Sequence, residues 1–519
     1  MRAISLITYL FACCALFAQE GGLDPNFGQG GRTTFAFNGS STAHDPTAVA
    51  VQSDGKILVA GFGFHLPAVA TPHVCIARLL PGGSPDPTFS GDGKAGFLID
   101  PNTANNIPRV MRVLSNGKIL LFVTASEKIY FLRLQANGEP DSTFGTNGVV
   151  KIFSTLSPNA GFFTNHAMEV QTNGKIILSY RIKYTGINSA AQIVSRFSAN
   201  GTPDNTFAGT GRLAVDSSSM VAPLTGPIEQ VQLALLPGNK ILLAGDTVLQ
   251  SSPFVARIKL ILLNNDGTFD QIFGTKGQTT IPNIQLQVNG MQVDASQNIL
   301  VAGNDGGTNA VVKIKPNGSL ETSYGTNGIA KGGAINIIIV NTTLLLNNGN
   351  TVFGGISNSF QTLCKSFDSQ GFINNSFGVG GIAAVPQIGD ENILRAMALQ
   401  SDGKLILVGK RKAVSGTSIS DFEVIRLNAA TSAVQNVLEK NEFQIWPNPV
   451  AGLLHISLAD ISQGTVISLF SANGKLLHTQ LATEGEQELD LKNLPSGNYF
   501  LQANLPGRVP VGKAFVKVN

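Results

Sequence analysis

Apolar residues in this chain come in short runs, each broken by Gly, Asn or Asp. Val51-Gln-Ser-Asp-Gly-Lys-Ile-Leu-Val-Ala-Gly61 and Leu399-Gln-Ser-Asp-Gly-Lys-Leu-Ile-Leu-Val-Gly409 both set an Asp-Gly pair, Asp54-Gly55 and Asp402-Gly403, between two apolar stretches. This order predicts a β-hairpin, because a two-residue turn needs positive φ and glycine adopts it at no steric cost. Weaker copies centre on Asn116-Gly117, Asn173-Gly174, Gly238-Asn239, Gln297-Asn298 and Asn348-Gly349. A second element has the form Asp-x-x-Phe-Gly-x-x-Gly. It begins with Asp24, Phe27 and Gly28 and returns as Asp86 with Phe89, Asp141 with Phe144, Asp204 with Phe207 and Asp270 with Phe273. Its last copies are Glu321 with Tyr324 and Asn374 with Phe377. A third element is a short strand ending in a turn, as in Ile76-Ala-Arg78-Leu to Gly83.

Each element occurs seven times, at intervals of 51 to 66 residues. A unit of this size holds about four strands and cannot bury both faces of its sheet alone, so neighbours must stack. Stacking in a ring leaves few exposed edges. The pattern predicts an all-β fold: a seven-bladed β-propeller over residues 22–430, a linker at 431–442, and a small Ig-like β-sandwich over 443–519. The rival is an open β-solenoid, but the unit is too long for one rung and no polar capping repeat is apparent. If blades break at the variable links, Asp421 to Leu427 lacks a fourth strand, and the segment near Arg32 to Phe37 is expected to supply it.

Strand alternation puts the Asp-Gly turns and the Asn-Gly to Phe-Gly turns on one face. The loops on the other face vary, as at His65 to Pro72, Asp100 to Ile107, Tyr184 to Ala191 and Asp246 to Pro253. Variable loops on a rigid scaffold commonly carry binding, so the variable face is the expected ligand face.

Composition supports this picture. The chain is 519 residues long, with 57 Gly, only 13% charged residues and a formal charge of +3. That balance leaves no electrostatic footprint for nucleic acid. Residues 1–18, with Arg2 before an apolar stretch from Ile4 to Phe17, read as a signal peptide and not as a retained transmembrane anchor. Cys13 and Cys14 leave with it, and Cys75 and Cys364 read as buried thiols in strands of non-adjacent blades.

Candidate chemistry is sparse. A basic residue lies eight positions before an acidic one at Arg78/Asp86, Arg133/Asp141, Arg196/Asp204 and Lys313/Glu321, which suggests a cross-turn ion pair or a capped turn. The repeated Phe and Gly read as packing and turn residues. The histidines, His44, His65 and His73 among them, read as surface-loop residues. No Cys/His spacing resembles a zinc site, and neither Asn264 to Asp270 nor Gly91 to Gly93 has a full calcium ligand set. No catalytic residue, cofactor or metal is therefore assigned.

The pairing of Leu23 to Gly31 with Asp54 to Gly61 resembles the delta-60 repeat family of secreted bacterial β-propellers. This implies the fold but no agreed activity. Further on come Phe443-Gln-Ile-Trp446-Pro447-Asn448-Pro449, then Gly474-Lys475, then Pro495-Ser-Gly497-Asn-Tyr499, then Lys513 to Val518. This series resembles the type A C-terminal sorting domain of the type IX secretion system of Bacteroidota. The resemblance implies a secreted or outer-surface protein that passes through the periplasm and engages the type IX translocon through this domain. The expected function is binding of a surface glycan or protein by a monomeric propeller. The alternatives are a hydrolase or lyase with its site at the propeller channel, and a structural or adhesin component. The single tryptophan, Trp446, lies in the sorting domain, so a Trp platform for sugar is excluded.

Overall fold

A computed structural model describes residues 19–37, 44–66, 71–103, 105–126, 128–152, 160–184, 190–215, 231–251, 254–305, 308–332, 337–357, 359–412, 420–428, 443–458, 465–471, 476–482, 485–504 and 511–518. Residues 1–18 and 431–442, the expected signal peptide and linker, and Gly474 and Lys475 lie outside them. The chain forms two compact units, Met1–Ala430 and Thr431–Asn519.

The first unit holds seven four-stranded antiparallel sheets among its described residues. Sheet I comprises Asp45–Val51, Ile57–Gly63, His73–Leu79 and Lys94–Phe97. Sheet II comprises Asn106–Val113, Ile119–Ala125, Lys128–Leu134 and Val149–Lys151. Sheet III comprises Ala160–Val170, Ile176–Tyr184, Ala190–Phe197 and Arg212–Ala214. Sheet IV comprises Gln232–Leu236, Lys240–Ser251, Phe254–Leu263 and Gln278–Gln285. Sheet V comprises Gln287–Val293, Ile299–Asn304, Asn309–Ile314 and Ile329–Lys331. Sheet VI comprises Ile337–Leu345, Thr351–Ser357, Thr362–Phe367 and Ile382–Ala384. Sheet VII comprises Glu391–Leu399, Leu405–Lys412, Asp421–Leu427 and, from the other end of the unit, Arg32–Phe35. This last pairing, Arg32 opposite Ile425 through Phe35 opposite Phe422, is the closure expected from the sequence.

Second strands are apolar at nearly every position because each sheet is covered on both faces. Side chains alternate between faces, so Leu58 and Ala60 pack toward sheet II while Ile57 and Val59 pack toward sheet VII. A separate buried cluster fills each neighbouring interface from I–II through VI–VII, and the last joins VII back to I. First strands also neighbour first strands around the same circuit, so they surround a common axis.

The second unit has a three-stranded sheet, Phe443–Trp446, Leu453–Leu458 and Glu486–Asp490. Its four-stranded sheet is Leu476–Leu481, Val466–Ser471, Gly497–Asn504 and Val511–Lys517. Leu454 and Ile456 of one sheet share a core with Ile467, Leu501 and Phe515 of the other.

Candidate binding site at the bulged end of the inner strands

The repeated acidic residues are committed to joints between sheets. Arg78 donates to Asp86 at 2.7 Å, Arg133 to Asp141 at 2.6 Å and Arg196 to Asp204 at 2.7 Å. A lysine that follows the hairpin turn adds a second cation, Lys56 on Asp86, Lys118 on Asp141 and Lys175 on Asp204, and in sheet IV, where Leu262 takes the arginine position, Lys240 alone meets Asp270 among the described residues. Burial opposes ionisation of Asp86, but hydrogen bonds from Thr88 and Lys56 and the Arg78 charge outweigh it and hold the carboxyl at about 2. Arg133 lies 4.1 Å from the Phe144 ring centre and reaches the Ala199 carbonyl of the next sheet at 2.6 Å.

Phe27, Phe89, Phe144, Phe207, Phe273 and Phe377 are all buried. Each seats its ring against a glycine turn of the following sheet. At Gly138, with φ +91°, a Cβ would stand 2.8 Å from the Phe89 ring. Gly28, Gly55 and Gly403 also hold positive φ, and the Asp54 and Asp402 carboxylates cap the amides of Lys56 and Lys404.

One expected pair does not form. Lys313 turns to Asp294 at 3.1 Å, while Glu321 caps Ser323 and meets Lys315 at 3.9 Å. Lysine lacks the fork that lets arginine hold the carboxylate and the next turn together, and Asp294 stands nearer. The equivalent joint in the last repeat was missed. Asp24 takes Arg426 at 2.8 Å and Lys404 at 2.9 Å. Its signal was legible, since Ile425-Arg426-Leu427 repeats Ala77-Arg78-Leu79.

With the motif residues consumed, chemistry available to a ligand lies along the first strands. Six of the seven carry a register shift at the same step. The extra residues are Thr47, Arg109, His166, Asn289, Asn341 and Arg395; in sheet III, Asn165 and His166 together stand opposite Tyr180. All six are polar, and each lies seven positions before its hairpin turn. A bulge re-aims the residue it carries and often borders a functional site. Each bulge lies four residues before the turn end of its strand, with two to six strand residues between it and the variable loops. Arg395 is forked by Asp45 at 2.9 and 2.7 Å. Arg109 is exposed and donates to the Thr124 hydroxyl at 2.9 Å, and no described carboxylate pairs with it. Arg112 and Glu169 pair deeper along the axis, between sheets II and III.

The axis also opens at the turn end. A hollow of about 990 Å³ there is lined by Ser53, Asp54, Ser115, Asn347 and Ser401. Parts of the variable loops, 67–70, 185–189, 252–253 and 413–419, lie outside the described residues.

Two of the three histidines around sheet I are not surface residues, while His65 is a half-buried loop residue. His44 and His73 are fully buried. His73 Nε2 accepts the amides of His65 at 2.9 Å and Leu66 at 3.0 Å, and its Nδ1 faces the Thr71 carbonyl at 3.0 Å. These rings close the ends of strands whose backbone groups would otherwise lack partners. Asp45 belongs to Arg395, so His44 and Asp45 make no acid–base pair. Cys75 and Cys364 are free and buried in strands, and burial pushes the Cys364 thiol up to about 12. Among the described residues, no group of three or more His, Cys, Asp or Glu could hold a metal ion.

In the second unit, both prolines of Trp446-Pro447-Asn448-Pro449 follow cis peptide bonds. The segment ties the two sheets: Trp446 stacks on His455 at 5.5 Å, and Asn448 Oδ1 accepts the Val516 amide at 2.9 Å. The Tyr499 hydroxyl donates to the Pro495 carbonyl at 2.8 Å, which pins the Pro495 to Gly497 turn. Residues 444–517 match the secretion system C-terminal sorting domain family. The second unit is a secretion sorting domain. The sorting domain marks the chain for type IX export to the cell surface or beyond. Among the described residues no helix is long and apolar enough to cross a membrane. On the outer face of the sorting domain, exposed Leu476 and Phe500 both pair across to Phe470.

Residues 52–89, a hairpin, its third strand and the Phe-Gly motif, match a domain of unknown function (DUF5122) described as a β-propeller. No curated protein matches the chain. Among solved structures it is similar to a protein of unknown function from Dyadobacter fermentans DSM 18053, at 9% identity over 76% of this chain and 99% of that one, TM-score 0.38. It is also similar to a catalytically inactive virginiamycin B lyase from Staphylococcus aureus with quinupristin, at 11% identity over 76% and 98%, TM-score 0.40. Drosophila Semaphorin 1a aligns at 9% identity over 76% and 87%, TM-score 0.41. None of the three bears on what this chain binds.

Proposed function

We propose that residues 22–430 form a seven-bladed β-propeller and that residues 443–519, an Ig-like two-sheet sandwich, export it. Outside the cell it binds a glycan or a protein at the variable-loop face, centred on the bulged mouth of the inner strands. The observation that carries this reading is the recurrence of the bulge in six of seven sheets, always at a polar residue. The residue type at this step changes from Thr to Arg, His and Asn among the repeats while its polarity is kept, as a lining that meets a polar ligand requires. The turn face is the weaker candidate, since its charged motif residues already neutralise one another. With Trp446 in the sorting domain, recognition rests on hydrogen bonds from Arg, Asn, Thr and His at the mouth.

The test is binding of the purified full chain to glycan and surface-protein arrays. Saturable binding to one class supports the reading, and flat results on both overturn it.

A further inference from the structure

Among the described residues, two donors are buried without an acceptor between sheets V and VI. Lys365, in the middle of Thr362–Phe367, is fully buried and its ammonium meets no hydrogen-bond partner. Asn309, at the start of Asn309–Ile314, is 3% exposed and its Nδ2 has no partner either. Leu363 and Phe367 flank Lys365 at two-residue spacing, and they share a core with Val311, which is two positions beyond Asn309. By strand alternation both polar side chains enter that same layer. Gly332 joins them. Its amide donates to the Asn309 carbonyl at 3.2 Å, and a Cβ on it would run into the Lys365 ammonium.

The other interfaces show that this is a matched exchange. Residues at the strand position of Lys365 include Ala77, Leu132, Val312 and Ile425, and those at the position of Gly332 include Ile152, Val215, Ile281 and Val385. All eight are apolar and buried, and Ser195 of sheet III is the polar exception at the Lys365 position. Only at V–VI does a lysine replace one partner while glycine clears the space opposite it.

A buried ammonium with no acceptor is strongly disfavoured, and native interiors supply it with an ion or an ordered water. Burial pushes Lys365 down to about 8, and an adjacent anion would favour the charged form. The ring of Phe367, 5.3 Å from Nζ, offers only a weak acceptor. The two side chains bring three ammonium protons and an amide and no negative charge, so a partner that completes them must accept hydrogen bonds and carry one. We propose that the V–VI interface binds a small monovalent anion, a halide such as chloride, between the Lys365 ammonium and the Asn309 amide.

The experiment is thermal unfolding of the full chain in sodium chloride against sodium gluconate at equal ionic strength. The midpoint is expected to rise by about 2 °C for each tenfold increase in chloride above the dissociation constant. Lys365→Met, which restores the apolar character of most of the other interfaces, is expected to fold and to lose that rise. Equal responses in the two salts, or in wild type and Lys365→Met, overturn the proposal in favour of a buried water. Should Lys365→Met fail to fold, a bromide-soaked wild-type crystal decides: an anomalous peak beside Lys365 Nζ supports the site, and no peak there overturns it.

Discussion

Asp24 and Arg426 stand 402 positions apart in the chain and 2.8 Å apart in the fold. The same joint spans eight positions in three other repeats, so here it fastens the two ends of the first unit. Replacing Asp24 by Asn leaves Arg426 and Lys404 facing each other without a carboxylate. The expected loss is about 3–5 kcal/mol, the usual cost of removing one partner of a buried ion pair. Urea denaturation measures it, and hydrogen exchange should quicken first at Arg32–Phe35. A loss below about 0.5 kcal/mol, the range of an ordinary surface change, would show that strand pairing alone closes the unit.

The glycine interlock makes a sharper comparison. Gly138 combines φ +91° with a Cβ position 2.8 Å from the Phe89 ring, whereas Gly82 has open space around it. Gly138→Ala is expected to cost about 2 kcal/mol or more, since a non-Gly residue in that region is strained even without a clash. Gly82→Ala should stay within about 0.5 kcal/mol. Chemical denaturation of the two variants side by side checks both values, and equal costs would contradict the interlock.

Stability should fall with acid in two steps. Burial lowers His73 from its ordinary 6.5, so the folded state favours the neutral ring. That contribution is complete above 6.5 and fades as pH falls below it. Asp86 titrates at about 2 against an ordinary 3.8, and Asp24, Asp141, Asp204 and Asp270 are lowered in the same direction. Their stabilisation is complete above 3.8 and is lost as pH falls through the folded values. Urea midpoints across this range should show a shallow loss below 6.5 that is absent in His73→Gln, then a steep one below 3.8. A single transition above 4 would contradict the assignment.

Much of this was legible in the sequence because it is local. A turn that needs positive φ must write Gly or Asn at a fixed place, and an Arg–Asp joint eight residues apart recurs within one strand and turn. The Arg32–Phe35 closure followed from counting strands. The bulge ring was not legible in that way, since a register shift depends on the partner strand as well as on its own residues. Its trace was a polar residue seven positions before each turn, inconspicuous in a strand that is polar at other positions too. Lys313 failed for a similar reason: charge was conserved through the repeat, but the forked geometry of arginine was not. His44 and His73 were misplaced because their burial depends on strand ends that meet only in the fold.

The sorting domain carries a row of exposed apolar side chains on one sheet. Phe500 and Leu476 are exposed, and both pair across to Phe470, whereas Leu501 and Phe515 face the core. Phe500→Ser should leave the unfolding midpoint unchanged, and export to the surface or medium should drop several-fold with the chain retained in the periplasm. Cell fractionation reads this, and normal export of a folded Phe500→Ser chain would show that the row plays no part.

The most direct test of the account is array binding of the wild-type chain beside a mouth variant carrying Arg109→Ser, His166→Ser and Asn289→Ser. The account predicts a glycan or protein bound by the wild type and bound at least about tenfold more weakly by a variant with the same unfolding midpoint, a difference of about 1.4 kcal/mol or more. Equal binding by both chains would contradict it.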